Sequence, residues 1–131
     1  MEAPKRVQSF AAACKVEKLD PKKLIIKLAG FPKDYVNALI AIAQLFIIVK
    51  AANRLANNGK EWKPNWDDTS QYKYYPWFWM DGGSSGFRFG GYADWDSASN
   101  VGSRLAFKTR EDAEYYGKKF LSLYKAFMVI K

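Results

Sequence analysis

Apolar residues near the start of the chain recur at the spacing of one helical face. They predict a short helix, capped by residue 8 or 9 and ending near residue 17, with three residues on its apolar side: Phe10, Ala13 and Cys14. Asp20 followed by Pro21 is typical of a helix start, and Gly30 of a helix end. A two-turn helix is therefore expected between them, with a strand over residues 24–28 as the competing interpretation.

The longest apolar run is VNALIAIAQLFIIV, residues 36–49. It has 14 residues, including Asn37 and Gln44, and is shorter than the roughly 20 needed to cross a bilayer, so no membrane span is expected. The run predicts a helix over about 35–57, capped by Asp34, whose apolar residues extend beyond one face. Such a helix either lies at the centre of the fold or presents a second face to another copy of the chain.

From residue 60 onwards the apolar pattern changes from helical spacing to alternation, which is typical of strands. Three strands are expected: QYKYYPWFWM at 71–80, GFRFGGY at 86–92 and SRLAFK at 103–108. Pro76 would break the first strand or place it at the edge of a sheet, because proline cannot donate a backbone hydrogen bond.

The chain ends with a second helical pattern. Thr109 and Asp112 form a T-x-x-D capping box in front of a helix expected over about 110–129. The predicted fold is therefore one α+β domain. Residues 1–59 form a helical half with a long central helix, and residues 60–131 form a three-stranded antiparallel meander and a C-terminal helix packed on the sheet.

Side chains alternate between the two faces of a strand, so parity predicts which residues stand together. If the phenylalanines of the second and third strands pack on the helices, the cations of all three strands share the opposite face with the odd-numbered rings of the first strand. This predicted open face comprises Lys73, Tyr75, Trp77, Trp79, Arg88, Arg104 and Lys108. A bulge at Pro76 would reverse the parity beyond it. The alternative is that helices cover both faces and the rings are core.

Charge is distributed unevenly along the chain. The net charge is +8, and residues 1–60 hold 11 Lys and Arg against 4 Asp and Glu. A basic domain favours polyanions such as nucleic acid or an anionic membrane surface. Rings beside cations on an open sheet suit single-stranded DNA or RNA, because bases stack on the rings and cations neutralise phosphates. Non-specific single-stranded nucleic-acid binding is therefore the leading hypothesis.

Two other classes of function stay open. The surplus apolar surface of helix 35–57 would suit a protein-interaction or virion structural subunit that forms homo-oligomers. Alternatively, five tryptophans near several aspartates would suit a carbohydrate-binding module. Asp94 and Asp96 alternate in DWDSASN, but this loop lacks a full set of calcium ligands, so no metal site is predicted.

Composition argues against most catalytic chemistries. The chain has no histidine, so the commonest general base and the histidine-dependent nucleophile arrangements are absent. One cysteine, Cys14, permits neither an intrachain disulfide nor a structural zinc site, and it is expected to be buried. No phosphate-binding loop or dinucleotide fingerprint occurs. We therefore expect a non-enzyme without a cofactor and, because no signal peptide is visible, a cytoplasmic protein.

Several motifs occur together in an order that resembles a known family. They are WKPNW, QYKYYPWF and VGSRLAFKTREDAEYYGKKF, and the similarity extends from about residue 7 to residue 128. The family comprises small uncharacterised proteins encoded by phages and prophages of gut bacteria. Its members often have cysteine at the position of Ala106 and a more acidic first half, so the lysine-rich first half of this chain is a departure. The resemblance implies a phage setting, in which DNA handling, virion structure or host-factor binding are the expected roles.

Overall fold

The computed structural model describes residues 5–130 and has an α+β architecture. Within these residues five α-helices occur: α1 Phe10–Val16, α2 Lys33–Ala56, α3 Gly83–Gly86, α4 Arg110–Lys119 and α5 Leu121–Met128. Two strands, β1 Lys73–Trp79 and β2 Arg88–Trp95, form one antiparallel hairpin, with α3 in the connection. The predicted α+β class is confirmed, but the predicted three-stranded meander is wrong because the described sheet has two strands.

The first helix forms as predicted and the second does not. Ser9 caps α1 by accepting a hydrogen bond from the backbone N–H of Ala12. Asp20 likewise caps the next turn, but that turn is a 3-10 helix of three residues, Pro21–Lys23, and residues 24–28 form neither helix nor strand. Both interpretations of this segment are therefore wrong. Its apolar residues pack poorly against the rest of the chain, and burial of a face is what usually stabilises a short helix.

The long helix α2 has two different halves. Its C-terminal half is buried through Leu45, Ile48 and Val49, where it contacts α1 and α5. Its N-terminal half leaves Tyr35 and Leu39 exposed. The prediction of a central helix is confirmed for the second half, whereas the first half extends beyond the core.

The C-terminal helix is divided at Phe120 into α4 and α5. The Thr109 hydroxyl caps α4 by accepting from the N–H of Asp112, as the capping box predicts. α4 packs on the inner face of the hairpin, and Gly117 permits this approach, since a Cβ there would lie 2.7 Å from the Cβ of Pro76. The change of direction at Phe120 lets α5 pack on α2 instead.

The segment predicted as a third strand is mostly a turn. Ser103–Leu105 is a 3-10 helix, and only Phe107 pairs with β1, through an isolated bridge to Tyr74. Continuing this antiparallel ladder would pair Leu105 with Pro76, which has no N–H to donate. The other edge of this segment is bound by Asn53 of α2, which donates to the carbonyl of Ala106 and accepts from the N–H of Lys108.

The core lies between α2, the inner face of the hairpin and the C-terminal helices. Phe78 of β1 contacts the rings of Phe87 and Tyr124, with centroids 4.9 and 4.8 Å away. A second aromatic stack runs from Phe107 through Tyr116 to Phe120. The only cysteine, Cys14, is buried as predicted, and burial raises the pKa of its thiol.

Candidate ligand-binding face on the outside of the hairpin

The two faces of β1 differ in what covers them. Pro76 and Phe78 point inward and are buried, whereas Trp77 and Trp79 point outward, with 37% and 48% of their surfaces exposed. α4 is the helix that packs most extensively on the hairpin, and it lies on the inner face. The predicted outward position of Trp77 and Trp79 is therefore confirmed. The rings of QYKYYPWFWM divide between core and surface.

The register of the hairpin places small residues of β2 opposite large rings of β1. Gly91 pairs with Trp77, Ala93 with Tyr75, and Arg88 with Trp79. The register shifts by one residue between the pairs of Trp77 and Phe78, which leaves Gly90 as the extra residue. The irregularity thus lies in β2, so Pro76 does not reverse the parity of β1.

Two glycines form the floor under Trp77. A Cβ at Gly90 would lie 2.1 Å from Cζ3 of the indole, and one at Gly91 would lie 3.1 Å from its Nε1. Only glycine therefore lets the indole approach the β2 backbone so closely. The Trp79 ring stands edge-on to Trp77, with centroids 5.1 Å apart, and the Arg88 guanidinium lies 5.5 Å from the Trp79 centroid.

Lys73 was expected to contact phosphates from this face, but its side chain is buried, with 1% of its surface exposed. Its ammonium donates to the backbone carbonyls of Asp68 and Asp96, at 3.1 and 2.6 Å. The Trp66 ring covers it, with its centroid 5.1 Å away. Lys73 has the predicted parity, but two loops close over that end of the strand. It holds these loops together and is not available to a ligand.

The loop that binds Lys73 is itself held by local hydrogen bonds. The Asp68 carboxylate accepts from the hydroxyl and the N–H of Ser70, and these bonds lower the pKa of that carboxyl. The Trp66 indole donates to the hydroxyl of Ser103, at 2.7 Å. The loop is therefore fixed at both sides of the Lys73 ammonium.

Arg104 and Lys108 do not join the outer face either. Arg104 is exposed on the 3-10 helix, 5.9 Å from the ring of Phe46 in α2. Lys108 is half-buried, and its N–H is bound by Asn53. Their predicted position on the outer face depends on a third strand, and because this strand does not form they lie on the α2 side of the fold.

One outward residue was missed. Trp95 pairs with Lys73 at the end of β2 and has 37% of its surface exposed. Plain alternation from Arg88 would have turned Trp95 inward, because the two differ in parity, and only the extra residue at Gly90 brings it to the outer face. We define the outer aromatic face by five residues: Tyr75, Trp77, Trp79, Arg88 and Trp95.

The outer aromatic face carries little charge. Arg88 is its only cation, and the guanidinium pairs with the Asp81 carboxylate at 3.1 Å, with both side chains exposed. An exposed pair of this kind contributes little to stability and can exchange for another partner. The chemistry available here is ring stacking with one nearby guanidinium.

The described residues show no arrangement typical of a metal centre. Among residues 5–130, no group of three or more histidine, cysteine, aspartate or glutamate side chains could hold a metal ion.

By length and composition, α2 is long and apolar enough to cross a membrane. Its apolar stretch of 18 residues has a mean hydropathy of 1.9, and 33% of this stretch is buried in the fold.

Comparisons with protein-family models, with curated proteins and with solved structures found no match for this chain. The resemblance to phage and prophage proteins therefore remains a prediction from its motifs. Function is therefore inferred from the geometry of the outer aromatic face.

Proposed function

We propose that the protein binds single-stranded nucleic acid on the outer aromatic face, mainly through base stacking. The observation that supports this proposal is the set of three tryptophans left exposed on one sheet face: Trp77, Trp79 and Trp95. Stacking of a base on an aromatic side chain is worth roughly 1–3 kcal/mol, and it tolerates any sequence because every base has a π face.

The residues of the face have different roles in this proposal. Trp77 is held by its two-glycine floor and offers a ring whose position is fixed before binding. Trp79 is more exposed and lies beside Arg88. The guanidinium can exchange its exposed pair with Asp81 for a phosphate oxygen of the bound strand. Only this one cation is expected to contact the backbone of the nucleic acid.

The loss of three predicted cations from the face changes the expected response to salt. Each phosphate neutralised on a single strand contributes about −0.7 to the slope of log K against log salt. Four cations would give about −2.8, whereas Arg88 alone gives about −0.7. We therefore expect a shallow dependence on salt, in which stacking dominates.

The test measures the fluorescence anisotropy of a labelled oligo(dT) titrated with the protein. Trp79→Ala should weaken binding by on the order of tenfold, because one stacking platform is removed. Gly90→Ala should also weaken it, since the new methyl group displaces the Trp77 ring without deleting it. Tyr35→Ala removes an even more exposed ring, on α2, and is the matched control, with unchanged affinity expected.

The proposal is wrong if Trp79→Ala and Gly90→Ala bind like the parent protein while both variants retain its far-UV circular dichroism. A slope near −3 with unchanged affinity in both variants would place the phosphates on the lysine-rich first half of the chain instead.

A carbohydrate is the second candidate ligand, favoured by the low positive charge of the face. The exposed Asp81 carboxylate pairs with Arg88 beside the Trp79 ring and could accept hydrogen bonds from sugar hydroxyls. Competition separates the two ligands: a neutral oligosaccharide that displaces the labelled oligo(dT) would favour the carbohydrate. Neither ligand requires a catalytic residue or cofactor, which is consistent with a non-enzymatic binding protein of the phage type.

A further inference from the structure

A second surface, at the other end of the sequence, leaves large apolar side chains in water. It combines the segment after the first 3-10 turn with the start of α2, and its six exposed residues are Leu24, Ile25, Ile26, Phe31, Tyr35 and Leu39. We name this set the N-terminal apolar surface. Ile25 is 69% exposed and Phe31 is 53% exposed, values that are unusual for such side chains in a group.

The surface continues into an open groove. Residues 23–26 lie beside α2 without filling the space between them, and a groove of about 360 Å³ is lined there by Ile40, Ala43 and Ile47. The polypeptide has no helix or strand over residues 24–28, so its apolar side chains are presented from an extended segment. The groove and the exposed side chains form one apolar region.

The same region is surrounded by positive charge. Residues 15–35 hold six lysines against three acidic residues. All six lysines are exposed: Lys15, Lys18, Lys22, Lys23, Lys27 and Lys33. None of them forms an ion pair within the described part of the chain.

All three acidic residues are already engaged in interactions. The Glu17 carboxylate is 4% exposed and accepts two hydrogen bonds from Arg54. The Asp20 carboxylate caps the 3-10 turn through the N–H of Lys22. The surface is therefore apolar at its centre and strongly basic at its rim.

Charge distinguishes between the occupants that such a surface could have. A second copy placed on it would bring the two sets of lysines together, and like charges in contact are unfavourable. A nucleic acid would neutralise the lysines but would offer little apolar surface to Ile25 and Phe31. An anionic lipid surface satisfies both, because its headgroups attract lysines and its acyl boundary accepts apolar side chains.

We propose that the N-terminal apolar surface binds peripherally to an anionic membrane, with Ile25 and Phe31 at the acyl boundary and the lysines among the headgroups. The contact is limited to the surface of the bilayer. α2 could not cross it without removing Leu45, Ile48 and Val49 from the core, where all three are fully buried. The outer aromatic face belongs to a different part of the chain and keeps its own ligand.

Co-flotation with vesicles tests this proposal. The probe is a vesicle of phosphatidylcholine and phosphatidylglycerol, and the neutral control is phosphatidylcholine alone. The protein should float with the anionic vesicles and not with the neutral ones, and less of it should float at high salt. Lys22→Gln combined with Lys23→Gln should weaken binding about thirtyfold, since each lysine near an anionic surface contributes roughly fivefold.

Ile25→Asp tests the apolar part of the contact. This side chain is exposed and lies outside every helix and strand, so the variant should keep the parent circular dichroism while it loses vesicle binding. Trp77→Ala is the matched control, because it removes a larger exposed ring from the other surface and should float like the parent.

Other outcomes overturn the proposal. Equal flotation with both kinds of vesicle, or with neither, contradicts it. A dimer in sedimentation equilibrium that Ile25→Asp dissociates would assign the surface to a second copy. Weaker oligo(dT) binding in the double lysine variant, without any vesicle binding by the parent, would assign the lysines to nucleic acid.

Discussion

Trp77 and Phe78 are neighbours in β1 whose side chains lie on opposite faces, so alanine substitutions at these positions should differ sharply in their effect on stability. Phe78 is 7% exposed and lies within 5 Å of two aromatic centroids. Trp77 lies on the glycine floor and is 37% exposed. The larger side chain should therefore be the one that the fold needs less.

The expected magnitudes follow from this geometry. Phe78→Ala removes a ring from a closed core and leaves a cavity, at a cost of about 3–5 kcal/mol in the free energy of unfolding. Trp77→Ala leaves no closed cavity, because its site opens to water. Only the transfer of about 80–90 Å² of apolar surface is lost, after allowance for compactness of the unfolded chain, and this corresponds to about 2 kcal/mol.

Urea unfolding followed by far-UV circular dichroism measures both values, since the signal does not depend on the deleted tryptophan. The slopes of the two transitions should agree, so that the midpoints report stability. If Trp77→Ala costs as much as Phe78→Ala, the outward indole belongs to the core. The exposed binding face would then not exist in solution.

Three further substitutions test other parts of the structure by the same unfolding assay. Lys73→Met should lower the free energy of unfolding by about 1–3 kcal/mol, because it leaves two backbone carbonyls without their donor. It should not alter the affinity for oligo(dT), and a large loss of affinity would show that Lys73 contacts the ligand. Asn53→Ala should cost about 2 kcal/mol or more by unpairing two backbone groups, and a neutral effect would refute the role given to Asn53 in fixing residues 106–108 to α2. Burial raises the pKa of the Asp112 carboxyl, so the native state binds this proton more tightly than the unfolded chain does. The contribution of Asp112 to stability therefore falls as pH rises through the acidic range. In Asp112→Asn this decline should be absent, and parallel pH profiles of stability for the two proteins would contradict the assignment.

The sequence correctly predicted the elements that depend on residues close together in the chain. The caps at Ser9 and Thr109 each bind an N–H three positions further along the chain, and both were found from the sequence. The outward position of Trp77 and Trp79 follows from the alternation within one strand. Their exposure could not be predicted in the same way, because it depends on which face α4 covers.

The predictions that failed depended on distant residues. The segment SRLAFK pairs with β1 only at Phe107, because the next pair would meet Pro76, and nothing in SRLAFK itself reveals which residue lies opposite. Lys73 is buried by loops on both sides of the hairpin, so its parity was right and its environment was wrong. Residues 24–28 have the composition of a regular element but gain little burial. As a result, three of the four cations predicted for the outer face do not lie on it: Lys73, Arg104 and Lys108.

The most direct test of base stacking on the outer aromatic face compares two oligomers in a titration of the intrinsic tryptophan fluorescence. One is oligo(dT) and the other is an abasic oligomer of the same length, which has the same phosphates but no bases. Saturating quenching by oligo(dT) that persists at higher salt, with no response to the abasic oligomer, is the predicted result. Equal responses to both oligomers, or none to either, would contradict stacking on Trp77, Trp79 and Trp95.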